Sequence, residues 1–305
     1  MRVGIVSNSD VIIPLTYTLA VQKLQVYVFI DKSINAEKGL MLQAFSKQLG
    51  VDMLLENESS ISLYEWINRE TFDAVFVMGY ASLINLSEIS KSVQQRLFNI
   101  HFGPLPAYKG PSPVFWQLKH GAETLGVSIH RLTKKLDEGA VVWRKSYPNQ
   151  ECFYHDAAMK YLSGMSAEGV FFLLSILAAK HPILELSPLD VKPSYYKRPV
   201  AGDVLIDWQR MGALEIINLI KACNPWNKGA ITLFKGNELK LMDARIGSAS
   251  AASGQPGEVA AIANDLCICT CDGTPIAINM LYYNDCYIPA YQAKYWGLVK
   301  GAILG

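Results

Sequence analysis

The sequence predicts an α/β protein whose large first domain has a mainly parallel sheet and whose smaller second domain is a closed β-barrel. Three observations predict this architecture. Short apolar runs alternate with helical segments in the first half, a proline-rich stretch follows, and the remainder consists of short strands separated by Gly and Asn turns. A chain of 305 residues with 50% hydrophobic content can bury one large core and one smaller core.

Strand and helix patterns alternate regularly through the first half. Val3–Val6 is a short apolar run followed by polar residues, which is typical of a buried strand. Gly50 ends a helical pattern, as glycine often does. The predicted elements are strand Val3–Val6, helix Tyr17–Leu24, strand Val26–Ile30, helix Glu37–Leu49, strand Met53–Leu55, helix Tyr64–Arg69, strand Ala74–Met78, helix Lys91–Leu97, a strand ending at Asn99–His101, strand Gly126–Leu132 and helix Met159–Leu177. This alternation predicts parallel strands connected by helices.

The second half of the chain has a different pattern of predicted elements. Four prolines between Lys180 and Ala201 indicate a linker, and a helix is predicted over Leu214–Ala222. The strands predicted after it are Ala230–Phe234, Glu238–Met242, Val259–Ile262, Leu266–Thr270 and Ile276–Leu281. Short, evenly spaced strands favour a barrel, because closure removes exposed sheet edges. We therefore expect domains at 1–185 and 204–305, joined by a linker at 186–203.

Charge and hydropathy limit the expected partners. The chain has 28 basic and 27 acidic side chains, so nothing in its net charge of +1 predicts nucleic acid or an anionic membrane as a partner. No window contains eighteen uninterrupted apolar residues, and the N-terminal stretch lacks a cleavage pattern. We expect a cytoplasmic protein that does not enter a membrane.

The cysteine row Cys267, Cys269 and Cys271 tests the idea of a metal site. Along a strand the three sulfur atoms would spread over about 13 Å, which suits one tetrahedral ion poorly, and no histidine lies nearby in the sequence. We expect these residues to be small buried apolar side chains and the six cysteines to be reduced. No metal site is expected.

The stretch from Phe98 to Val142 carries the strongest chemical pattern. Asn99 and His101 stand two residues apart, so their side chains share one face of an extended segment. Asp137 follows in Leu-Asp-Glu-Gly. An amide donor, an imidazole and a carboxylate can together bind an oxyanion, accept a proton and orient the base. By contrast, His130 on its predicted strand is interpreted as a structural or rim residue.

A rigid loop lies between these residues. Its first part consists of Gly103, Pro104, Leu105 and Pro106, and a second part runs from Lys109 to Pro113. Proline fixes the backbone and glycine permits close approach, so the loop can pass near a ligand. Gly103–Pro106 is therefore the candidate substrate loop.

The ordered motifs resemble the signature of the tetrahydrofolate-dependent formyltransferases. They are Asn99-x-His101, Leu105-Pro-x-Tyr-Lys-Gly110, Gly126-Val-Ser-Ile129 and Leu136-Asp-x-Gly139, followed later by Asn224-Pro-Trp226 and the closing Trp296–Gly301. The resemblance implies a Rossmann-like formyltransferase domain with an OB-like barrel after it. It also implies 10-formyltetrahydrofolate as co-substrate, Asn99, His101 and Asp137 as catalytic residues, and a folate site at Met78, Tyr80, Leu83, Leu136, Glu138 and Gly139.

In such an enzyme an amine attacks the formyl carbon. Asn99 would donate to the oxyanion and His101 would accept the amine's proton, while Asp137 would orient the imidazole and favour its protonated form.

The identity of the acceptor stays open at this point. From residue 201 onward eight Lys or Arg face nine Asp or Glu, and the segment after the second strand, Asp31–Lys38, is short and mixed in charge. Both features disfavour RNA. We expect a small amine, such as an amino-sugar nucleotide or an amino acid of a secondary pathway. The alternatives are a methionyl-tRNA formyltransferase, a formyl-folate hydrolase and a non-catalytic folate-binding module. An oligomer is possible in each case.

Overall fold

The computed structural model describes residues 1–69, 71–248, 254–262 and 265–305, and the chain divides into two units. The first unit comprises Met1–Pro113, Thr124–Pro148 and Met159–Tyr196, and the second comprises Val114–Glu123, Asn149–Ala158 and Lys197–Gly305. The second unit thus includes two segments from the middle of the chain. The sequence-based bounds at 1–185, 186–203 and 204–305 stay a prediction.

A seven-stranded sheet forms the centre of the first unit. Its strands lie in the order β3-β2-β1-β4-β5-β6-β7. Strands β1 to β5 are parallel, whereas β6 and β7 are each antiparallel to their neighbours. The strands are β1 (Arg2–Ser7), β2 (Gln25–Ile30), β3 (Asp52–Leu55), β4 (Ala74–Met78), β5 (Leu97–His101), β6 (Thr124–Arg131) and β7 (Val141–Pro148). The predicted mainly parallel sheet is confirmed.

Helices connect most of these strands, and a long helix follows the last of them. They are α1 (Ile13–Val21), α2 (Ala36–Leu49), α3 (Leu63–Ile67), α4 (Lys91–Gln94), α5 (Pro113–Lys119) and α6 (His155–Ala178), with 3-10 turns at Asp10–Ile12, Glu56–Glu58 and Leu86–Glu88. Several bounds differ from the sequence-based prediction by up to four residues, among them those of α1 and α4. Helix α1 begins four residues earlier than Tyr17, because Pro14 lies in its first turn, where no backbone donor is needed. Helix α4 ends at Gln94, because Leu97 already belongs to β5.

The core of the first unit lies on both faces of the sheet. Every residue of β4 is buried, and Phe29, Phe76 and Phe98 are among the largest fully buried side chains. Continuous apolar runs are typical of parallel strands that are covered on both faces.

Helix α6 is long and apolar enough to cross a membrane by length and composition alone. Its residues Leu162, Val170 and Leu173 are fully buried within the protein, and the Oγ of Ser163 accepts a hydrogen bond from the backbone of Leu15 in the same unit. These contacts are typical of a core helix.

The second unit carries an antiparallel sheet in the order β10-β11-β12-β9-β8, with β13 paired to β12. The C-terminal tail bonds both ends of this path, since Ala302 accepts from Val259 in β10 and Gly305 exchanges two bonds with Leu233 in β8. The predicted barrel is confirmed. Its elements are α7 (Ala213–Cys223), β8 (Ala230–Phe234), β9 (Asn237–Ile246), β10 (Val259–Ile262), β11 (Leu266–Ile268), β12 (Ile276–Tyr283), β13 (Cys286–Pro289) and 3-10 turns at Ala201–Asp203 and Ala290–Trp296.

Candidate active site

Strand β5 carries two of the predicted catalytic side chains near the middle of the sheet. Asn99 and His101 alternate with the buried Ile100, so both point to the same side. His101 is only 5% exposed. Strand β5 lies between β4 and β6, and loops from both neighbours therefore lie beside it.

Asp137 comes from the loop between β6 and β7 and completes the predicted trio. Its Oδ1 lies 3.5 Å from Nδ1 of His101, and its Oδ2 accepts a 2.8 Å hydrogen bond from the backbone N–H of Gly110. Burial raises the pKa of this carboxyl, but hydrogen bonds and the nearby histidines outweigh burial and leave it below its usual value. The structure thus brings Asp137 to His101 as an anion with oriented partners.

The surroundings of His101 determine its charge. Its Nε2 donates to the backbone carbonyl of Tyr108 at 2.8 Å, and a Cβ at Gly103 would lie 2.7 Å from the same nitrogen. Burial lowers the pKa of His101 below its usual value, and the charge of Asp137 opposes that shift only in part. The ring is therefore neutral at pH 7, and a proton accepted at Nδ1 would face the carboxylate.

His130 joins the site, although the sequence indicated a structural or rim residue. It is 3% exposed, and its Nε2 lies 3.0 Å from Nδ2 of Asn99 and 3.4 Å from Oδ1 of Asp137. Asn99 and His130 are direct partners across β5 and β6. We call Asn99, His101, His130 and Asp137 the buried cluster. Only the strand register would have identified its fourth member.

The predicted substrate loop is tied to the sheet. Ser128 on β6 donates from its Oγ to the carbonyl of Gly103 at 2.7 Å and accepts from the N–H of Leu105 at 3.1 Å. Gly126 makes room for the loop, because a Cβ there would lie 2.5 Å from the nitrogen of Pro104. Pro106 follows in the same loop and accepts at its carbonyl from Ser194. The loop is therefore fixed in position beside the buried cluster.

The predicted folate-side residues lie on two loops next to β5. Met78 ends β4 and is fully buried, and the half-buried Tyr80 donates from its hydroxyl to Asp31 at 3.3 Å. Burial and the charge of Asp31 raise the pKa of Tyr80. Leu83 in the same loop is 66% exposed.

The second of these loops flanks Asp137. Leu136 is 41% exposed, and Glu138 pairs with Lys135 at 3.4 Å. Gly139 cannot be replaced without displacing the backbone, since a Cβ there would lie 1.7 Å from the carbonyl oxygen of Arg131.

A cavity of about 310 Å³ lies next to this loop in the first unit. Residues of the predicted linker form one wall of the cavity. Backbone hydrogen bonds from Lys109 to Ser194 and from Tyr196 to Lys109 hold that wall in place. The lining residues are Lys109, Lys135, Leu136, Glu138, Pro193, Ser194 and Tyr195. Sequence reasoning missed this cavity, because it depends on the linker folding back against Lys109.

The described residues contain no group of three or more His, Cys, Asp or Glu side chains arranged to hold a metal ion. The six cysteines are all free thiols. In the Cys267–Cys271 row only Cys269 is buried, whereas Cys267 is partly exposed and Cys271 exposed. The expectation of three buried side chains was wrong for two of them. Cys267 alternates with the buried Leu266 and Ile268 of β11, so its side chain points to the other face, and Cys271 lies in a turn.

Two family models match the chain. The model described as formyl transferase matches residues 32–153, and the one described as formyl transferase, C-terminal domain, matches residues 201–286. Together they cover more than half of the chain.

Individual proteins that are similar to this chain include formyltransferases. The chain is 28% identical over 236 residues to the bifunctional polymyxin resistance protein ArnA of Wigglesworthia glossinidia brevipalpis, covering 76% of this chain and 35% of that protein. It is 28% identical over 205 residues to a methionyl-tRNA formyltransferase of Methylobacillus flagellatus, covering 66% and 64%. The chain thus spans less than two thirds of either relative. A structure of WlaRD, a sugar 3N-formyl transferase in the presence of dTDP and 5-N-formyl-THF, has the same fold, with a TM-score of 0.66, 18% identity and coverage of 91% and 97%.

Proposed function

The chain belongs to the formyl transferase family, and we propose that it transfers a formyl group from 10-formyltetrahydrofolate to the primary amine of a small metabolite. The observation that supports this most is the trio itself. The ionised Asp137 lies 3.5 Å from Nδ1 of the neutral His101 in a buried site. Asn99 is linked to this pair through His130, whose Nε2 lies 3.0 Å from the amide nitrogen and 3.4 Å from Oδ1 of Asp137.

The reaction assigns one task to each member of the trio. The amine nitrogen bonds to the formyl carbon, and Asn99 donates an N–H to the oxygen, which gains negative charge; such a donor typically contributes about 3 kcal/mol. His101 accepts the amine's proton, and Asp137 stabilises the charged ring. The bond from the formyl carbon to N10 of the folate then breaks, and the proton passes to N10. General acid–base help of this kind contributes ~10²–10⁴-fold.

Two exposed apolar side chains support the folate site. Leu83 and Leu136 stand on the loops that follow β4 and β6, and both are large hydrophobic residues open to solvent. A pterin ring bound between these loops would remove them from water, which is favourable at about 25 cal/mol per Å². Met78, Tyr80, Glu138 and Gly139 complete the proposed site.

The cavity supports a small acceptor that carries an anionic group. Lys109 and Lys135 both lie within 4 Å of Glu138, so two positive charges face one negative charge. Lys109 is bonded along the chain to Tyr108 and Gly110, whose backbones contact His101 and Asp137. A phosphate or carboxylate held there would lie beside the catalytic residues. A volume of about 310 Å³ suits a small molecule.

Methionyl-tRNA is the second candidate acceptor, because one relative carries that name. Against it stands the second unit, where eight basic residues from position 201 onward are outnumbered by nine acidic ones.

We also propose a cytoplasmic location, since all six cysteines are free thiols.

Turnover assays test this proposal. Purified protein is mixed with 10-formyltetrahydrofolate and, separately, with amino-sugar nucleotides, diamino acids, charged initiator tRNA or buffer alone. Release of tetrahydrofolate and mass spectrometry of the acceptor are followed. We expect formylation of a small amine. Formylated methionyl-tRNA as the only product would overturn the acceptor, folate release in buffer alone would indicate a hydrolase, and no release with any acceptor would contradict the catalytic assignment.

A further inference from the structure

His130 is the member of the buried cluster to which the proposed reaction gives no task. A buried histidine on a sheet strand can be simply a packing residue. Here, however, both ring nitrogens lie within 3.0 Å of a polar atom, and one of those atoms belongs to the proposed oxyanion donor. The hydrogen bonds of His130 therefore bear directly on catalysis.

The backbone fixes the tautomer of this ring. Nδ1 lies 2.9 Å from the carbonyl oxygen of Arg131, an atom that can only accept. Nδ1 must therefore carry a hydrogen. In the neutral ring Nε2 is then left with a lone pair, and it can only accept.

That lone pair determines the orientation of Asn99. Nδ2 of Asn99 lies 3.0 Å from Nε2, so the amide donates one N–H to the ring. The carboxamide is planar, and the direction of its second N–H is fixed once the first is engaged. His130 thus sets where the remaining donor of Asn99 points.

Asp137 shows what would undo this arrangement. Its Oδ1 lies 3.4 Å from the same Nε2. A doubly protonated ring would donate to this carboxylate, and two N–H donors would then oppose each other at Nε2, so the amide of Asn99 would have to turn. The two bonds of Nε2 exclude each other.

We propose that His130 is a positioning residue, which holds Asn99 through Nε2 so that the second amide N–H points at the oxyanion of the formyl-transfer intermediate. The proposal rests on the formyl transfer proposed above. Small errors in the position of such a donor are costly, and a shift of about 1 Å can reduce the rate ~10²-fold.

Three substitutions separate hydrogen bonding from packing. His130→Phe keeps a flat ring but removes the acceptor, and we expect kcat to fall between ~10-fold and ~100-fold while the KM for folate stays within about twofold. His130→Gln places an amide oxygen near the same position and should recover part of the loss. His181→Gln, at an exposed histidine of the same unit, is the matched control and should be neutral. A packing role predicts the reverse order, with Phe the milder change.

A double-mutant cycle then asks whether His130 acts through Asn99. In an Asn99→Ala background His130→Phe should cost nothing further in kcat, because no donor is left to position. Full additivity of the two losses would overturn the proposal, as would near-normal kcat in His130→Phe. Thermal unfolding of each variant identifies a loss of activity that is caused by misfolding. If His130→Phe is misfolded, the kcat of His130→Gln decides whether the proposal holds.

Failure of the proposed function looks different. In that case the unsubstituted protein transfers no formyl group to any acceptor. The tautomer of His130 can still be read by ¹⁵N NMR of histidine-labelled protein, where the Nδ1–H form with an unprotonated Nε2 is expected. A spectrum showing Nε2–H would overturn the positioning role independently of turnover.

Discussion

His101 in the first unit and His155 in the second unit are both histidines with lowered pKa values, yet their surroundings differ. His101 has a carbonyl at one ring nitrogen and a carboxylate at the other. His155 is partly exposed and lies against the ring of Trp226, and its surroundings lower its pKa to about 4. Desolvation keeps both rings neutral, but the carboxylate of Asp137 lies 3.5 Å from Nδ1 of His101 and would stabilise a proton accepted there. The charge of Asp156 raises the pKa of His155 by less than burial lowers it. Polar partners, more than burial, distinguish a reactive histidine from a packing residue.

Removing each ring should have the largest and most contrasting effect. We expect His101→Ala to lower kcat by ~10²–10⁴-fold, because it deletes the acceptor of the amine's proton. His155→Ala should leave kcat within about twofold and lower the melting temperature instead. The measurements are steady-state kinetics and thermal unfolding of both variants. Near-normal kcat in His101→Ala would remove the basis of the comparison.

The contrast also shows which parts of the fold and of the candidate site can be predicted from the sequence. Asn99, His101 and Asp137 are recognisable because each lies in a short motif, and the α/β alternation and barrel follow from hydrophobic period and turn residues. The contact of His130 with Asn99 could not be predicted from the sequence, because it depends on the register of β5 and β6.

Two further features were beyond sequence reasoning. Ser128 holds the substrate loop through two hydrogen bonds that join positions more than twenty residues apart. Ser194 and Tyr195 line the cavity because the chain returns to Lys109 after more than eighty residues. Pairings that are distant in sequence have no local signal.

Lowering the pH should affect a different measured quantity for each of the two histidines, and for His101 that quantity is kcat/KM. The pKa of His101 lies below 6.5, so kcat/KM should be constant at neutral pH and fall about tenfold per pH unit once the ring becomes protonated below that value. A decline beginning above pH 6.5 would contradict the direction of the shift.

For His155 the effect is on stability. The unfolded ring binds its proton near pH 6.5 and the folded ring near 4, so stability is full above 6.5 and declines as the pH falls to 4. The loss is at most roughly 3 kcal/mol, reduced by the part of the ring that water reaches. His155→Phe should flatten the dependence of the unfolding free energy on pH in this window, measured by denaturant unfolding. For the pH dependence of kcat/KM described above, the control is His101→Ala.

Lysines sharpen the comparison between the units. Lys109 and Lys135 line the cavity, whereas Lys294 and Lys300 are exposed on the second unit. The Lys109→Ala/Lys135→Ala variant should raise the KM for an anionic acceptor by roughly tenfold, equivalent to about 1.4 kcal/mol, with little change in the KM for folate. Lys294→Ala/Lys300→Ala is matched in charge and should change neither constant. Equal effects of the two pairs would contradict the proposed acceptor cavity.

Salt should have the smallest effect, and it decides between the two acceptor classes. An enzyme that contacts several RNA phosphates displaces counterions when it binds. Its affinity for the RNA therefore falls ~10³–10⁵-fold between 50 and 200 mM salt. A small anion facing Lys109 and Lys135 involves two positive charges, one of which Glu138 already balances. The KM for the acceptor should therefore rise by less than about tenfold over the same range, and the Lys109→Ala/Lys135→Ala variant should show a still shallower slope. A steep slope that disappears in the Lys294→Ala/Lys300→Ala variant would instead assign substrate binding to the second unit and favour methionyl-tRNA.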